Sequence, residues 1–519
     1  MKVTRRQAIA AGAAMVGAGL SSRLAHAQKK GFRLGGTLDA PSDPPVEGSL
    51  VAFPATDGTQ ATLAPSNLSF EGYIRMPVNA DIKNGASASL RPMANGNLRV
   101  LIAGLGASFE KLLEVDITGL TPNTTVSSAP QATFVKDWGS FVQGYALVEG
   151  GPFYSKRRFG GLYFDPIPIN GKNILWWNYG DNYAPQHEQP SLGATILDDT
   201  TGSLQSYGPY KFGLAAANNK GRSGFFPIPQ WFLNSYPNMG NKRIGVYGGQ
   251  YSGNIAAPWG LSAFAFEPFD PREVAALTTW NEAVRQDVVT LIHHDVNHRM
   301  TRNVRQKQCG FGDGSDTDGD GAYLESENVV LTLGDGKWGG AANGTAENDT
   351  QRGVWFVDTL NRTGLLHAGI QVSNPADEPN PLDVDGYAHH GYAAYSGHGP
   401  GFFDNTCPHG CFDEFWNGIT GPWASYREGK YWIVPPSQCG EVVSGARNSY
   451  ACTPSTVEEP FSNLHSDFHK KQSQEFGQWV GFDYTTNRLF MWLRGVKAPY
   501  DTYTLGGAGH SCLAVFKVN

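Results

Sequence analysis

The feature that most constrains this chain is a unit of short strands and tight turns that recurs along it. The last copy occupies residues 476–519, with short apolar strands at 480–483, 488–493 and 512–518 and turn residues at 484–487. Similar units occur at 89–119, 160–199, 225–268 and, more loosely, 353–371 and 425–436. Each unit is too small to bury both of its faces, so the copies must pack on one another as blades. The sequence therefore predicts an all-β chain that forms a single β-propeller of six or seven blades.

Composition supports many short strands and turns. The 519 residues include 64 Gly and 32 Pro, 12% are aromatic and 17% are charged, and long amphipathic helical patterns are nearly absent. One helical pattern occurs at 270–287, where Val274, Leu277 and Trp280 are suitably spaced for a short helical insertion. We expect an extended lead-in at 28–65 and a propeller at 66–519, with insertions at about 270–347 and 374–423. We also expect the strand at 512–518 to close the propeller by pairing with a strand from the N-terminal region.

The N-terminal residues have the pattern of an export signal. Arg5 and Arg6 precede a weakly apolar run at 8–20, and Ala25-His26-Ala27 has the small-residue pattern of a cleavage site. This segment resembles the twin-arginine (Tat) signal peptides of bacteria. The resemblance implies that residues 1–27 are a signal peptide and that the mature protein is periplasmic or secreted.

Charge excludes some classes of partner. The formal net charge is −7, and the chain has no basic cluster. Such a surface argues against nucleic acid and against anionic membranes as partners. We expect no membrane span and a monomeric protein.

The six cysteines are an even number, at positions 309, 407, 411, 439, 452 and 512. In an oxidising compartment this favours disulfide bonds over reactive thiols. Cys439 with Cys452 would close a loop before the last unit. Cys407 and Cys411 would form a tight bridge or contribute to a metal site with His409.

An acidic segment at 316–327 has the spacing of a calcium loop. Asp316, Asp318, Asp320 and Glu327 place oxygen donors at positions 1, 3, 5 and 12, and Gly321 stands at position 6. The segment resembles an EF-hand loop, although the residues before it do not have a helical pattern. The resemblance implies a structural calcium ion, and the alternative is an acidic surface turn without an ion.

Histidine and tyrosine are concentrated in the predicted connections between strands. We expect several of these side chains to converge on one face of the propeller, because connections carry function while strands are committed to packing between blades. The candidate catalytic residues are His187, His389, His390, His398, Tyr395 and Arg222. A further His-bearing segment contains His293, His294 and His298. For any single histidine, a satisfied rim or core position is the alternative.

Three kinds of chemistry are compatible with these residues. A lyase acting on uronate polysaccharides would need a His or Tyr base and a cation such as Arg222 or Arg299 to neutralise the carboxylate. A glycoside hydrolase would need two carboxylates. The candidates are Asp181, Glu188, Asp295, Asp404 and Glu414. A transition metal at His389, His390 and His398, or at His293 and His298, is the third route.

Several common enzyme classes lack support in the sequence. No nucleophile elbow, P-loop or dinucleotide fingerprint is evident. What remains resembles exported carbohydrate-active propellers, and that resemblance implies binding and cleavage of an extracellular polysaccharide. The alternative is a propeller that binds a ligand or partner without turnover, since fold alone does not decide function.

Aromatic side chains have two possible roles in such a fold: they stack on sugar rings or fill the space between blades. The candidates are Trp176, Trp177, Tyr179, Tyr183, Trp231, Trp259, Trp416 and Trp423.

Overall fold

The structure is a computed structural model. It describes residues 53–78, 81–82, 87–104, 111–142, 157–181, 191–221, 223–248, 261–276, 285–293, 350–373, 426–452, 456–458, 478–496 and 510–519. The described strands form five sheets, and nearly all of their pairings are antiparallel.

The strands are numbered in chain order. β1 (Ala61–Thr62) and β2 (Leu68–Arg75) come first. The first blade contains β3 (Ser87–Pro92), β4 (Leu98–Ala103), β5 (Lys111–Asp116) and β6 (Thr133–Ser140). The second contains β7 (Arg157–Ile169), β8 (Lys172–Asp181), β9 (Leu192–Asp198) and β10 (Ser203–Phe212). The third contains β11 (Gly224–Pro227), β12 (Ile244–Tyr247), β13 (Ser262–Phe266) and, after β14 (Arg285–Gln286), β15 (Val288–His293).

The fourth blade contains β16 (Thr350–Asp358), β17 (Arg362–Ser373), β18 (Tyr426–Val434) and β19 (Thr456–Glu458). The fifth contains β20 (Gln478–Asp483), β21 (Arg488–Val496) and β22 (His510–Val518), and it is completed by β2. The short edge strands β14 and β1 add in parallel to β10 and β17. The described helices are α1 (Ala215–Lys220), α2 (Gln230–Ser235), α3 (Pro436–Ser444) and four 3₁₀ turns at Pro65–Asn67, Val126–Ser128, Pro237–Met239 and Ser449–Ala451.

The innermost strands close into a ring. β3 contacts β7, β7 contacts β11, β11 contacts β16, β16 contacts β20, and β20 returns to β3. The predicted all-β propeller is therefore confirmed, but the described strands make five blades, and the expected six or seven was wrong. The error arose because the units at 353–371 and 425–436 were counted as two blades, whereas β17 and β18 are adjacent strands of one sheet.

The fifth blade combines β2, from the N-terminal region, with the C-terminal strands β20, β21 and β22. β22 lies between β21 and β2, and it pairs with β2 from Leu68 opposite Val518 to Arg75 opposite Cys512. The predicted closure by the C-terminal strand is thus confirmed. A sheet built from both ends of the sequence holds the ring shut, since opening it requires breaking a complete strand ladder.

Two local predictions are not met in the described part of the chain. In the described parts of 270–287 no helix is present: residues 271–274 form a turn, and residues 285–286 are β14, so the expected helical insertion is absent there. No disulfide joins the three cysteines of the described ranges, including the expected pair Cys439 and Cys452. Both side chains are buried in the core, and burial raises the pKa of the Cys452 thiol to about 12.

Large aromatic side chains fill the space between blades. Trp176 and Trp177 are fully buried, and the ring of Trp176 lies 5.4 Å from that of Phe266 in the third blade. Trp231 packs on Phe232 and Phe356. These three tryptophans therefore have the packing role, and complete burial excludes sugar stacking for Trp176 and Trp177. None of the described helices is long and apolar enough to cross a bilayer.

Candidate functional site

The innermost strands all begin at the same end of the central channel, and Gln478 joins them there. Gln478 is the first residue of β20. The Ser87 hydroxyl donates to its Oε1 at 2.6 Å, and its Nε2 donates to the carbonyls of Ser223 at 2.5 Å and Gly160 at 3.5 Å. One side chain therefore ties the fifth blade to the first, second and third.

Two glycines allow the backbones to approach closely beneath this side chain. A Cβ at Gly161 would lie 2.4 Å from the Cα of Gly224 and 2.7 Å from Gln478 Nε2. A Cβ at Gly224 would lie 2.5 Å from the Tyr247 hydroxyl oxygen. Any larger residue would have to displace backbone or the Gln478 amide. The innermost strands β7 and β11 are therefore in close backbone contact at this level.

Buried polar groups complete this floor, which we define as Ser87, Asn178, Ser223, Tyr247 and Gln478. The Gly161 N–H donates to Asn178 Oδ1 at 2.6 Å, and Asn178 Nδ2 donates to the carbonyls of Gly221 and Gly224. Burial raises the pKa of the Tyr247 phenol well above its ordinary value, while its hydrogen bond with Gln478 opposes that effect. All five side chains are uncharged at neutral pH, so the floor suits neutral polar groups.

A second obstruction lies further along the channel. Tyr163 of the second blade contacts Trp355 of the fourth, with ring centroids 6.3 Å apart, although these two blades are not neighbours in the ring. Beyond it, Asp165 forms an ion pair with Arg243 of the third blade at 2.7 Å. Burial raises the pKa of the Asp165 carboxyl, and the guanidinium of Arg243 opposes that shift. The Tyr163–Trp355 contact thus spans the channel between two non-adjacent blades.

The opposite end of the channel is covered by the segment that precedes β2. The Thr56 hydroxyl donates to Asp358 Oδ2 at 2.5 Å, and the indole of Trp231 donates to Asp358 Oδ1 at 3.0 Å. Phe53 packs edge-on against Tyr484 with centroids 5.3 Å apart. Because the polar groups at this end hydrogen-bond to one another, we assign this end a structural role.

The connections that carry the predicted site residues leave from the Gln478 end. In each blade, antiparallel pairing places the end of the second strand beside the start of the first, innermost strand. The pairs that show this are Ser87 with Ala103, Arg157 with Asp181, Gly224 with Tyr247, Thr350 with Ile370 and Gln478 with Trp492. The third strand of a blade begins at this end, as the pairing of Tyr426 with Ser373 in the fourth blade shows. The fourth strand ends here, as the pairing of His293 with Ser262 in the third blade shows. This face, from which the innermost strands start, is named the entry face.

All the catalytic candidates lie outside the described residues and remain predictions. His187 falls between β8 and β9, and Arg222 directly precedes Ser223. Tyr395 and three histidines fall between β17 and β18: His389, His390 and His398. The calcium candidates, between β15 and β16, also lie outside: Asp316, Asp318, Asp320 and Glu327. Within the described ranges, no cluster of three metal-ligating side chains occurs.

The floor residues were not predicted from the sequence. Gln478 looks like an ordinary strand residue, and its partners are distant in the chain. The one available signal was the glycine at or near the start of three innermost strands, at 161, 224 and 353, since a glycine within a strand often marks a close backbone approach.

Replacing Gly161 by alanine is expected to destabilise the protein by about 1–3 kcal/mol, because the new methyl group meets backbone that cannot yield easily. The change would be measured as a lower urea midpoint. Gly213→Ala is the control, since a Cβ there has its nearest neighbour at 3.3 Å. Equal losses in the two variants would contradict the close approach at the floor.

The comparison with solved structures includes a weak structural likeness. No family model matches the chain, and no curated protein matches it. Among solved structures, exo-inulinase from Aspergillus awamori superposes with a TM-score of 0.32 and 9% sequence identity. The superposition covers 86% of this chain and 63% of that structure. The chain therefore matches less than two thirds of that structure's length, and the likeness carries no functional argument.

Proposed function

We propose that the protein is an exported carbohydrate-active propeller that binds and cleaves an extracellular polysaccharide on its entry face. The observation that carries the proposal is topological. The strand ends that flank the segments containing His187, Arg222 and the histidines at 389, 390 and 398 all belong to the entry face. Segments leaving one face from several blades can bring acid–base groups together above the floor.

Contacts that cross the channel favour a surface site over a through-pore. Gln478 reaches from the fifth blade to the third near the entry face, and Tyr163 reaches from the second blade to the fourth further along. A polymer would therefore lie across the entry face, with one group directed at the neutral floor. Propellers with such a geometry take their specificity from the connections and not from the strands.

The residue types favour proton transfer. A histidine from 389, 390 or 398, or Tyr395, would take or give the proton at the reacting carbon or glycosidic oxygen. In a lyase reaction Arg222 would neutralise the uronate carboxylate next to the carbon that loses its proton. In a hydrolase reaction two carboxylates would do the work, and Asp181 is one candidate because it is the last residue of β8, a strand that ends at the entry face.

A single screen distinguishes these reactions. The protein would be incubated with neutral glycans such as xylan and β-glucan and with acidic ones such as alginate and polygalacturonate. New reducing ends together with absorbance of an unsaturated uronate indicate a lyase, and reducing ends without that absorbance indicate a hydrolase. Retention on a polysaccharide without turnover would reduce the proposal to a binding module. Loss of activity on chelation and its recovery with zinc would indicate a transition metal at the histidines. No binding and no turnover would refute the proposal.

We further propose that residues 316–327 bind a structural calcium ion. The spacing of Asp316, Asp318, Asp320 and Glu327 is the support.

Excess EGTA is expected to lower the Tm by several degrees, because an ion that binds only the folded state stabilises it in proportion to the logarithm of its concentration. Asp316→Ala and Asp320→Ala should lower the Tm and lose the EGTA response, while Asp57→Ala, in an exposed turn, should retain it. An EGTA-insensitive Tm would leave the segment as an acidic turn.

A further inference from the structure

Ser191 and Ser223 are among the buried hydroxyl groups of the described ranges that have no hydrogen-bond partner, and they differ in position. Ser191 and Ser223 are 0% and 2% exposed, and neither Oγ has a donor or acceptor within reach. Ser191 precedes β9, where its N–H donates to the carbonyl of Tyr210 in the outermost strand β10. Ser223 precedes the innermost strand β11 and belongs to the floor.

The backbone of Ser223 is fixed by the floor on both sides. Its N–H donates to the carbonyl of Tyr247 at 2.9 Å, and its carbonyl accepts from Gln478 Nε2. The neighbouring polar groups are already engaged: Gln478 bonds Ser87 and two carbonyls, and Asn178 bonds Gly161, Gly221 and Gly224. The hydroxyl of Ser223 is the one floor side chain for which no partner exists in the described ranges.

Such a group is costly to keep. Burying a hydroxyl without a hydrogen bond is unfavourable, and alanine at the same site would remove the cost without creating a large cavity. Unsatisfied buried groups are rare and call for a specific explanation, such as a missing water or a functional contact. At the centre of the entry face, a ligand is the explanation that also accounts for the neutral character of the floor.

We propose that the Ser223 hydroxyl is a ligand-binding group that hydrogen-bonds a hydroxyl of the bound saccharide. The inference rests on the proposed function and adds the group that the floor recognises: a neutral sugar hydroxyl. Both neutral glycans and uronate polymers present such hydroxyls. A serine can donate to or accept from a sugar hydroxyl, as the geometry requires.

The test compares Ser223→Ala with the matched control Ser191→Ala. Removing either unpartnered hydroxyl should raise the Tm of the unliganded protein by about 1–2 °C. Each protein would then be titrated with xylan and β-glucan oligosaccharides in one arm and with oligogalacturonates and alginate oligosaccharides in the other, and binding would be followed by calorimetry. Ser223→Ala should weaken binding of the preferred series about 3- to 10-fold, the worth of one neutral hydrogen bond, and Ser191→Ala should not change it.

The outcomes separate this inference from the proposed function. If the wild-type protein binds neither series, both fail. If it binds one and the Ser223→Ala variant binds equally well, only this inference fails, and Ser223 is left with an ordered water. Equal weakening in both alanine variants would also overturn it. Should Ser223→Ala fail to fold, Ser223→Cys, which keeps the side-chain shape with a larger atom and a weaker donor, is expected to show the same ordering of affinities.

Discussion

Replacing Arg91 by alanine is expected to destabilise the protein by about 3–5 kcal/mol, the cost of removing one partner from a buried ion pair. Arg91 lies on the innermost strand of the first blade and is 1% exposed. Its Nη1 contacts Glu114 Oε1 at 2.8 Å, and its Nη2 contacts both carboxylate oxygens of Asp199 in the second blade at 2.6 and 2.5 Å. Its loss would leave the fully buried Glu114 carboxylate without its main counter-charge.

The guanidinium also packs between two aromatic rings. It lies 5.3 Å from the ring centroid of Trp138 and 5.2 Å from that of Phe164, which belong to the first and second blades. Arg91→Ala thus removes an ion pair, cation–π contacts and packing volume at once. Arg91→Lys keeps the charge but loses the forked geometry, and we expect an intermediate loss.

Urea unfolding followed by tryptophan fluorescence measures this change. The control is Arg488→Ala, which removes a contact of similar length, 2.6 Å to Glu71, between side chains that are 27% and 28% exposed. Exposed pairs contribute at most about 1 kcal/mol. If the two variants had the same midpoint, the Arg91 cluster would not be holding the first two blades together.

Polar contacts recur at the interfaces between blades. Arg91 with Asp199 joins the first and second blades, Asp165 with Arg243 joins the second and third, and Asp358 with Trp231 joins the fourth and third. Hydrophobic packing alone is tolerant of sliding, because apolar contact is not directional. These directional contacts fix how each blade is placed on the next, and so they fix the geometry of the entry face.

The strands could be predicted from the sequence because their signal is local. Alternating apolar residues and turn residues at 484–487 identified β20, β21 and β22 within a few residues. The blade count could not be obtained in this way. The pattern does not show that β17 and β18, which are separated by residues 374–425 in the sequence, are neighbours in one sheet.

The closure of the ring by β2 also changed which strands belong to which blade. The propeller was predicted to begin at residue 66, but the first long strand after that point, β2, belongs to the fifth blade, and the first blade starts at β3. Likewise β6, the outermost strand of the first blade, lies between the units predicted at 89–119 and 160–199 and was part of neither. When the N-terminal strand completes the last blade, a strand-by-strand count from the N-terminus begins one strand early.

The floor could not be predicted because its contacts join residues that are far apart in the chain. Gln478 and Ser87 are separated by 391 positions, and Gln478 and Ser223 by 255. No local periodicity encodes such a pair, and each residue type is common in strands. The candidate histidines are the opposite case. The sequence made them candidates because they are concentrated between predicted strands. Only the positions of the flanking strand ends support the proposal that they share one face.

Substituting His389 or His398 by alanine is expected to lower turnover by at least about 10²-fold, the contribution of a positioned acid–base group, while changing the Tm by no more than a degree or two. Both residues lie in the sequence between β17 and β18, outside the described residues, and the ends of these two strands that flank them lie at the entry face. His367→Gln is the contrasting control. His367 is fully buried in β17 opposite Trp432, so its replacement should lower the Tm yet leave turnover per folded molecule unchanged.

Rates would be measured on the polysaccharide identified by the screen, with the folded fraction of each variant determined by fluorescence. A His389→Ala and His398→Ala pair that both retain full activity would place the proton-transferring groups on another connection of the entry face, with His187 the first to examine.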